Sequence, residues 1–304
     1  MKNFFRFTLL ISVLALGAAV ETYAADNTVD LILVAGQSNA VGADANPTEL
    51  APSDIDREVM FWWRTGDPPP DKHDSTSARK WTHLQPQPLG NPKKPRDGKA
   101  RQWGNFSHPD GGFGPEIEMG RVLAMVMKHD DRGGNKRLAI VKAAFSGTGI
   151  RRDWNPTSKT DSGACYRALV EETKAAIKAA EAKGLKMRLR GFTWVQGESD
   201  ANARDAAHYE KALREMIAAL RKDLNAPEMI ALLAINTRFS GGKNKFVPKI
   251  VEAQKAVAAT DTRCAYVDTS QASTANNVHY DAGGTVWVGH LFAERLLMVE
   301  AELE

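Results

Sequence analysis

The sequence predicts a three-layer α/β/α sandwich built on a central, mainly parallel sheet. Two observations carry this. Five short runs are apolar at nearly every position, and long stretches with helical periodicity lie between them. A strand apolar on both faces needs cover on both faces, which helical crossovers provide for a parallel sheet.

The first strand is VDLILVA (29–35), which runs into GQSNAVG. A helical pattern follows at 115–130 (PEIEMGRVLAMVMKHD), then a strand at 137–144 (RLAIVKAA). The alternation continues with a helix at 165–184, a strand at 187–195 (MRLRGFTWV) and a helix at 208–224. Strands at 228–235 (EMIALLAI) and 263–269 (RCAYVDT) bracket a helix at 246–259, and a helix at 286–303 closes the chain. Five parallel strands are expected.

Residues 43–113 break this rhythm. They are dense in Pro, Gly and charge (WWRTGDPPPDKHD, QPQPLGNPKKPRDGK, HPDGGFGP) and far longer than an ordinary connection. The expectation is a long irregular insertion, either built around a site or wandering from it. Trp62, Trp63, Trp81 and Trp103 fall in it, and they form either a mini-core or a sugar-stacking surface.

At the N-terminus, Lys2 and Arg6 precede an apolar run, Phe7–Val20, and Thr22-Tyr23-Ala24 ends in a small residue. This is the layout of a secretory signal peptide over residues 1–24, and the run is too short for a comfortable membrane span. Residues 25–304 then form one exported domain, periplasmic or secreted, with no membrane attachment after cleavage. A net charge of +3 without a basic stripe argues against a nucleic-acid partner. The two cysteines, Cys165 and Cys264, could form one disulfide or remain as buried thiols. No metal-ligand spacing such as CxxC or HExxH occurs, so neither a metal nor another cofactor is expected.

Chemistry concentrates where the expected strands end. In a doubly wound sheet, ligands gather beyond the carboxyl edge. Ser38 sits just past the first strand, at the start of a short helix whose free N–H groups favour negative charge. It is either an N-cap or a nucleophile with an oxyanion site beside it. Two other strand ends deliver FSGTGI (145–150) and QGESDAN (196–202), both short, polar and glycine-containing. A serine nucleophile needs a base. Of seven histidines, His279 alone lies between the last strand and the last helix, at the same edge.

Together, GQSNAVG (36–42), FGPE (113–116), SGT (146–148), WVQGESD (194–200) and NNVHYDAGG (276–284) resemble blocks of the SGNH-hydrolase superfamily. More narrowly, they are similar to carbohydrate esterases of the sialate O-acetylesterase-like and acetylxylan esterase kind. The resemblance runs from about Val29 to Leu297 in matching order. It implies a flavodoxin-like α/β/α fold and removal of acetyl groups from the hydroxyls of an acetylated carbohydrate. Ser38 matches the nucleophile and His279 the general base. The backbone N–H groups of Ser38 and Gly147 and the side-chain amide of Gln196 match the oxyanion hole. Gln37, Asn39 and Glu198 match residues that brace the site.

One position departs from the family pattern. Three residues before the histidine, where an aspartate usually orients the imidazole, this chain has Asn276. Three solutions are open: Asn276 itself orients His279 in a working site, another acid (Glu198, Asp281 or Asp268) reaches the ring, or the site binds acylated sugar without efficient turnover. The last is a carbohydrate-binding protein on an esterase fold. An esterase acting on non-sugar esters is a further alternative.

Overall fold

The computed structural model describes residues 27–91, 105–129 and 137–304. The expected signal peptide and Trp103 lie outside the described residues. Eight strands form one sheet: β1 (Thr28–Gly36), β2 (Val59–Gly66), β3 (Ser75–Thr76), β4 (Thr82–His83), β5 (Arg137–Phe145), β6 (Lys186–Val195), β7 (Ile230–Ala234) and β8 (Cys264–Tyr266). The helices are α1 (Ser38–Val41), α2 (Glu116–Lys128), α3 (Ile150–Asp153), α4 (Ala164–Glu181), α5 (Tyr209–Asp223), α6 (Val247–Thr260) and α7 (Ala282–Leu303).

The strand order is β3-β2-β5-β1-β6-β7-β8, with β4 also paired to β2. The five strands expected from the sequence are β5, β1, β6, β7 and β8, all parallel to their neighbours. Taken alone they follow the flavodoxin-like order 2-1-3-4-5. β1 lies in the middle, and its side chains alternate between two cores. Leu31, Leu33 and Ala35 face one cluster with α4, α5 and α6, while Ile32 and Val34 face the other with α2 and α7. Both faces are covered, as the uninterrupted apolar run from Leu31 to Ala35 requires.

The expected irregular insertion at 43–113 is corrected by β2. VMFWWRTG is a sixth parallel strand, registered residue for residue against β5 from Val59–Leu138 to Gly66–Phe145. Short antiparallel β3 and β4 then cover its outer edge, which blunts an otherwise exposed strand. Trp62 and Trp63 belong to the cores on opposite faces of β2. The Trp62 Nε1–H donates to Glu172 Oε2 on α4 at 2.9 Å, and Trp81 packs edge-on against Trp62 at 5.6 Å. These three tryptophans are packing residues, not a sugar platform. Cys165 and Cys264 are both buried free thiols, on α4 and β8. No helix among the described residues is long and apolar enough to cross a membrane.

Candidate active site

The carboxyl ends of β1, β5 and β6 converge as the sequence implies. β1 ends at Gly36, whose φ is +139°; a Cβ there would stand 2.1 Å from the Val195 carbonyl oxygen of β6. Only glycine permits that approach. The Gln37 N–H then donates to the same carbonyl at 3.0 Å, and α1 starts at once with Ser38. One turn later the chain reverses at Gly42, φ +81°, where a Cβ would collide with the Phe113 carbonyl oxygen at 1.7 Å. The tight turn brings Asp44 back beside the start of the helix.

Ser38, Gly147, Glu198 and His279 line one cleft of about 540 Å³. The N–H groups of Ser38 and Gly147 donate to no acceptor among the described residues. Both are free to receive negative charge, Ser38 because the first N–H groups of a helix have no partner within it. No hydrogen bond joins the Ser38 hydroxyl to the His279 ring. Catalytic contacts of this kind are commonly long until substrate closes them.

The histidine's partner is the main correction. His279 Nδ1 lies 2.8 Å from Asp44 Oδ2, on the turn that follows the Ser38 helix. The hydrogen bond to His279 is the chief reason the Asp44 carboxyl is lowered from 3.8 to about 2, against the opposing effect of partial burial. Ser107 Oγ and Asn276 Nδ2 donate to the same carboxylate. Asn276 therefore does not orient the ring directly. Its Oδ1 accepts from the N–H groups of Val278 at 2.8 Å and His279 at 2.9 Å, and its amide donates to Asp44. It ties the histidine backbone to the acid.

None of the other candidate acids hydrogen-bonds the His279 ring. Asp281 caps α7, accepting from Gly284 N–H at 2.7 Å, and Asp268 accepts from Ser270 N–H at 2.9 Å. Glu198 is fully buried, and desolvation raises its pKa. Its Oε1 accepts from Asn39 Nδ2 at 2.8 Å and Asn236 N–H at 3.1 Å.

Asn39 laces the two halves together. Its Oδ1 accepts from Tyr280 N–H at 3.0 Å and its Nδ2 reaches the Val278 carbonyl at 3.3 Å. The residue after Ser38 thus grips the residues before and after His279. Asn39 and Glu198, joined to each other at 2.8 Å, link the Ser38 helix to the His279 loop and to the chain after β7.

Gln196 is a second correction. Its side chain is completely buried, and its Nε2 donates to Thr148 O at 2.8 Å and Asp200 Oδ2 at 2.6 Å. An amide has only two N–H hydrogens, and three protein oxygens already share them, with Gln37 Oε1 the most distant at 3.3 Å, so none is left for a substrate oxyanion. Its Oε1 accepts from the Tyr209 hydroxyl at 3.0 Å. Gln196 locks the loop after β6, and the Gln37 side-chain oxygen joins it by accepting from Ser199 N–H at 3.2 Å. Among the described residues, no cluster of three or more His, Cys, Asp and Glu side chains is arranged to hold a metal.

A flavodoxin-like sheet carrying Ser38, His279 and Asp44 at its carboxyl edge is the arrangement expected of an SGNH-type esterase. Residues 28–298 match the profile of the carbohydrate esterase family described as sialic acid-specific acetylesterase, and the chain belongs to that family. It is accordingly a carboxylic ester hydrolase. No curated protein matches the sequence at a significant level. Among solved structures, a protein from Arabidopsis thaliana is similar with a TM-score of 0.63 at 18% identity, over 88% of this chain and 98% of that one. NanS is similar with a TM-score of 0.57 at 17% identity, over 92% of this chain and 99% of that one. A carbohydrate acetylesterase from Xanthomonas citri matches with a TM-score of 0.51 at 16% identity, over 87% of this chain and 54% of that one. At these identities the likeness is one of fold.

Proposed function

We propose that the protein removes O-acetyl groups from sugar hydroxyls through a Ser38 acyl-enzyme, in the exported setting that the signal-peptide-like layout of residues 1–24 suggests. The observation that carries this is the Asp44–His279 hydrogen bond of 2.8 Å at the rim of the cleft that holds Ser38. The carboxylate fixes the tautomer with Nδ1 protonated, which leaves Nε2 to take the Ser38 proton. Attack on the acetyl carbonyl forms the Oγ–C bond and places the electron pair on the carbonyl oxygen. The Ser38 and Gly147 N–H groups receive that oxyanion. Collapse expels the sugar alkoxide, which takes the proton from the imidazolium. Water then repeats the sequence and releases acetate.

Asp44 supplies the acid that the Asn276 position lacks, which removes the motive for a non-catalytic reading. The proposal predicts hydrolysis of p-nitrophenyl acetate and of an O-acetylated sugar. Ser38→Ala lowers that turnover by about 10³-fold or more with unchanged circular dichroism. Activity surviving in this variant overturns the assigned nucleophile.

A further inference from the structure

A lysine in the middle of a central parallel strand is out of place unless something holds it. Lys142 of β5 is such a residue, with no exposed surface, and burial lowers its pKa while Glu116 opposes the shift. Its three ammonium hydrogens are all assigned. They go to Glu116 Oε1 at 2.9 Å, Gln87 Oε1 at 2.7 Å and the main-chain carbonyl of Val41 at 2.9 Å. Glu116 and Gln87 are themselves completely buried. The same Glu116 oxygen accepts from Gly114 N–H at 2.9 Å and Gln87 Nε2 at 3.0 Å. Glu116 is the acid of the FGPE block, to which the acyl-transfer mechanism assigns nothing.

The third bond gives the network its direction. Val41 is the last residue of α1, and its carbonyl is one of those a helix end leaves without an internal partner. It stands three residues after Ser38 and three before Asp44. The FGPE backbone also runs against this helix: a Cβ on Gly114 would meet the Ala40 carbonyl at 2.3 Å and Lys142 Nζ at 2.8 Å.

A buried ion pair is weak evidence of stabilisation, since taking both charges from water offsets their attraction. What such a pair supplies without ambiguity is a fixed geometry. We propose that Lys142, held by Glu116 and Gln87, is a positioning residue for ester hydrolysis, clamping the Val41 carbonyl so that Ser38 and Asp44 keep their spacing. This rests on the reading of Ser38 as nucleophile and Asp44 as the partner of the base.

The test compares Lys142→Met/Glu116→Gln with wild type and Ser38→Ala, using p-nitrophenyl acetate and thermal melts. The double variant removes both charges together, so no unpaired ion remains buried. The expected result is a folded protein whose kcat falls at least tenfold while KM stays within twofold. If the double variant does not fold, Gln87→Leu, which keeps the ion pair and removes one of the supports of the ammonium, is expected to lower kcat several-fold at unchanged KM. A folded variant with wild-type kcat, or one in which KM alone rises, overturns the clamp. Turnover surviving in Ser38→Ala would instead overturn the underlying mechanism, so the two failures are distinguishable.

Discussion

At the scale of single residues, the site turns on which oxygen faces His279 Nδ1. An asparagine three positions before the histidine looks like a handicap in the sequence, but beside Asp44 it is the matching choice. Its amide donates to the Asp44 carboxylate while its oxygen holds the backbone of the histidine loop. An aspartate there would face a second carboxylate, and two such groups sharing a site cannot both ionise freely. Asn276→Asp is therefore expected to lower kcat by at least about tenfold, ~1.4 kcal/mol of barrier. Steady-state kinetics on an acetyl ester check this, and a rise in kcat would contradict it. Ser38 and His279 were legible because each follows a strand at the sheet's carboxyl edge. Asp44 was not, because its contact with the histidine spans 235 residues. The available hint was an acid two residues past a glycine that reverses the chain after Ser38. Gln196 misled for the opposite reason. Its residue type suits an oxyanion donor, and only its neighbours in space show the amide to be committed.

At the scale of elements, the five strands visible in the sequence are those buried on both faces and free of proline. β2 escaped notice because its flanks carry Asp-Pro-Pro-Pro and dense charge, and because Arg64 and Thr65 interrupt its apolar run. It is nonetheless a full partner of β5. It also places the chain that follows beside the cleft, where Asp67, Phe106 and Ser107 form one wall. Trp62 is 1% exposed at the centre of the strand and hydrogen-bonded to Glu172. Truncating a buried tryptophan typically costs about 3–5 kcal/mol. Trp62→Ala is expected to lose that much in urea unfolding, whereas a tryptophan on a detached excursion would lose almost nothing.

For the whole molecule, buried carboxyls set an unusual pH dependence of stability. Burial pushes both Asp74 and Asp200 up to about 6. An aspartate in the unfolded chain titrates near about 3.9. Between these values the unfolded chain has lost the proton and the folded one keeps it, so the fold loses stability as pH rises from about 4 through 6. Asp44, held at about 2, acts in the opposite sense and withdraws stability only below about 4. Urea midpoints should therefore fall between pH 4.5 and 6.5 on account of these groups. Asp200→Asn should flatten that slope, and an unchanged slope would contradict the account.

The central claim is that Asp44 orients His279 for a Ser38-based acyl transfer. The most direct measurement is kcat for hydrolysis of an acetyl ester by Asp44→Asn, with folding verified by its melting curve. In serine hydrolases an asparagine in this role selects the wrong imidazole tautomer. The account predicts a loss of about 10³–10⁴-fold; a folded variant that retains turnover within a few-fold of wild type would contradict it.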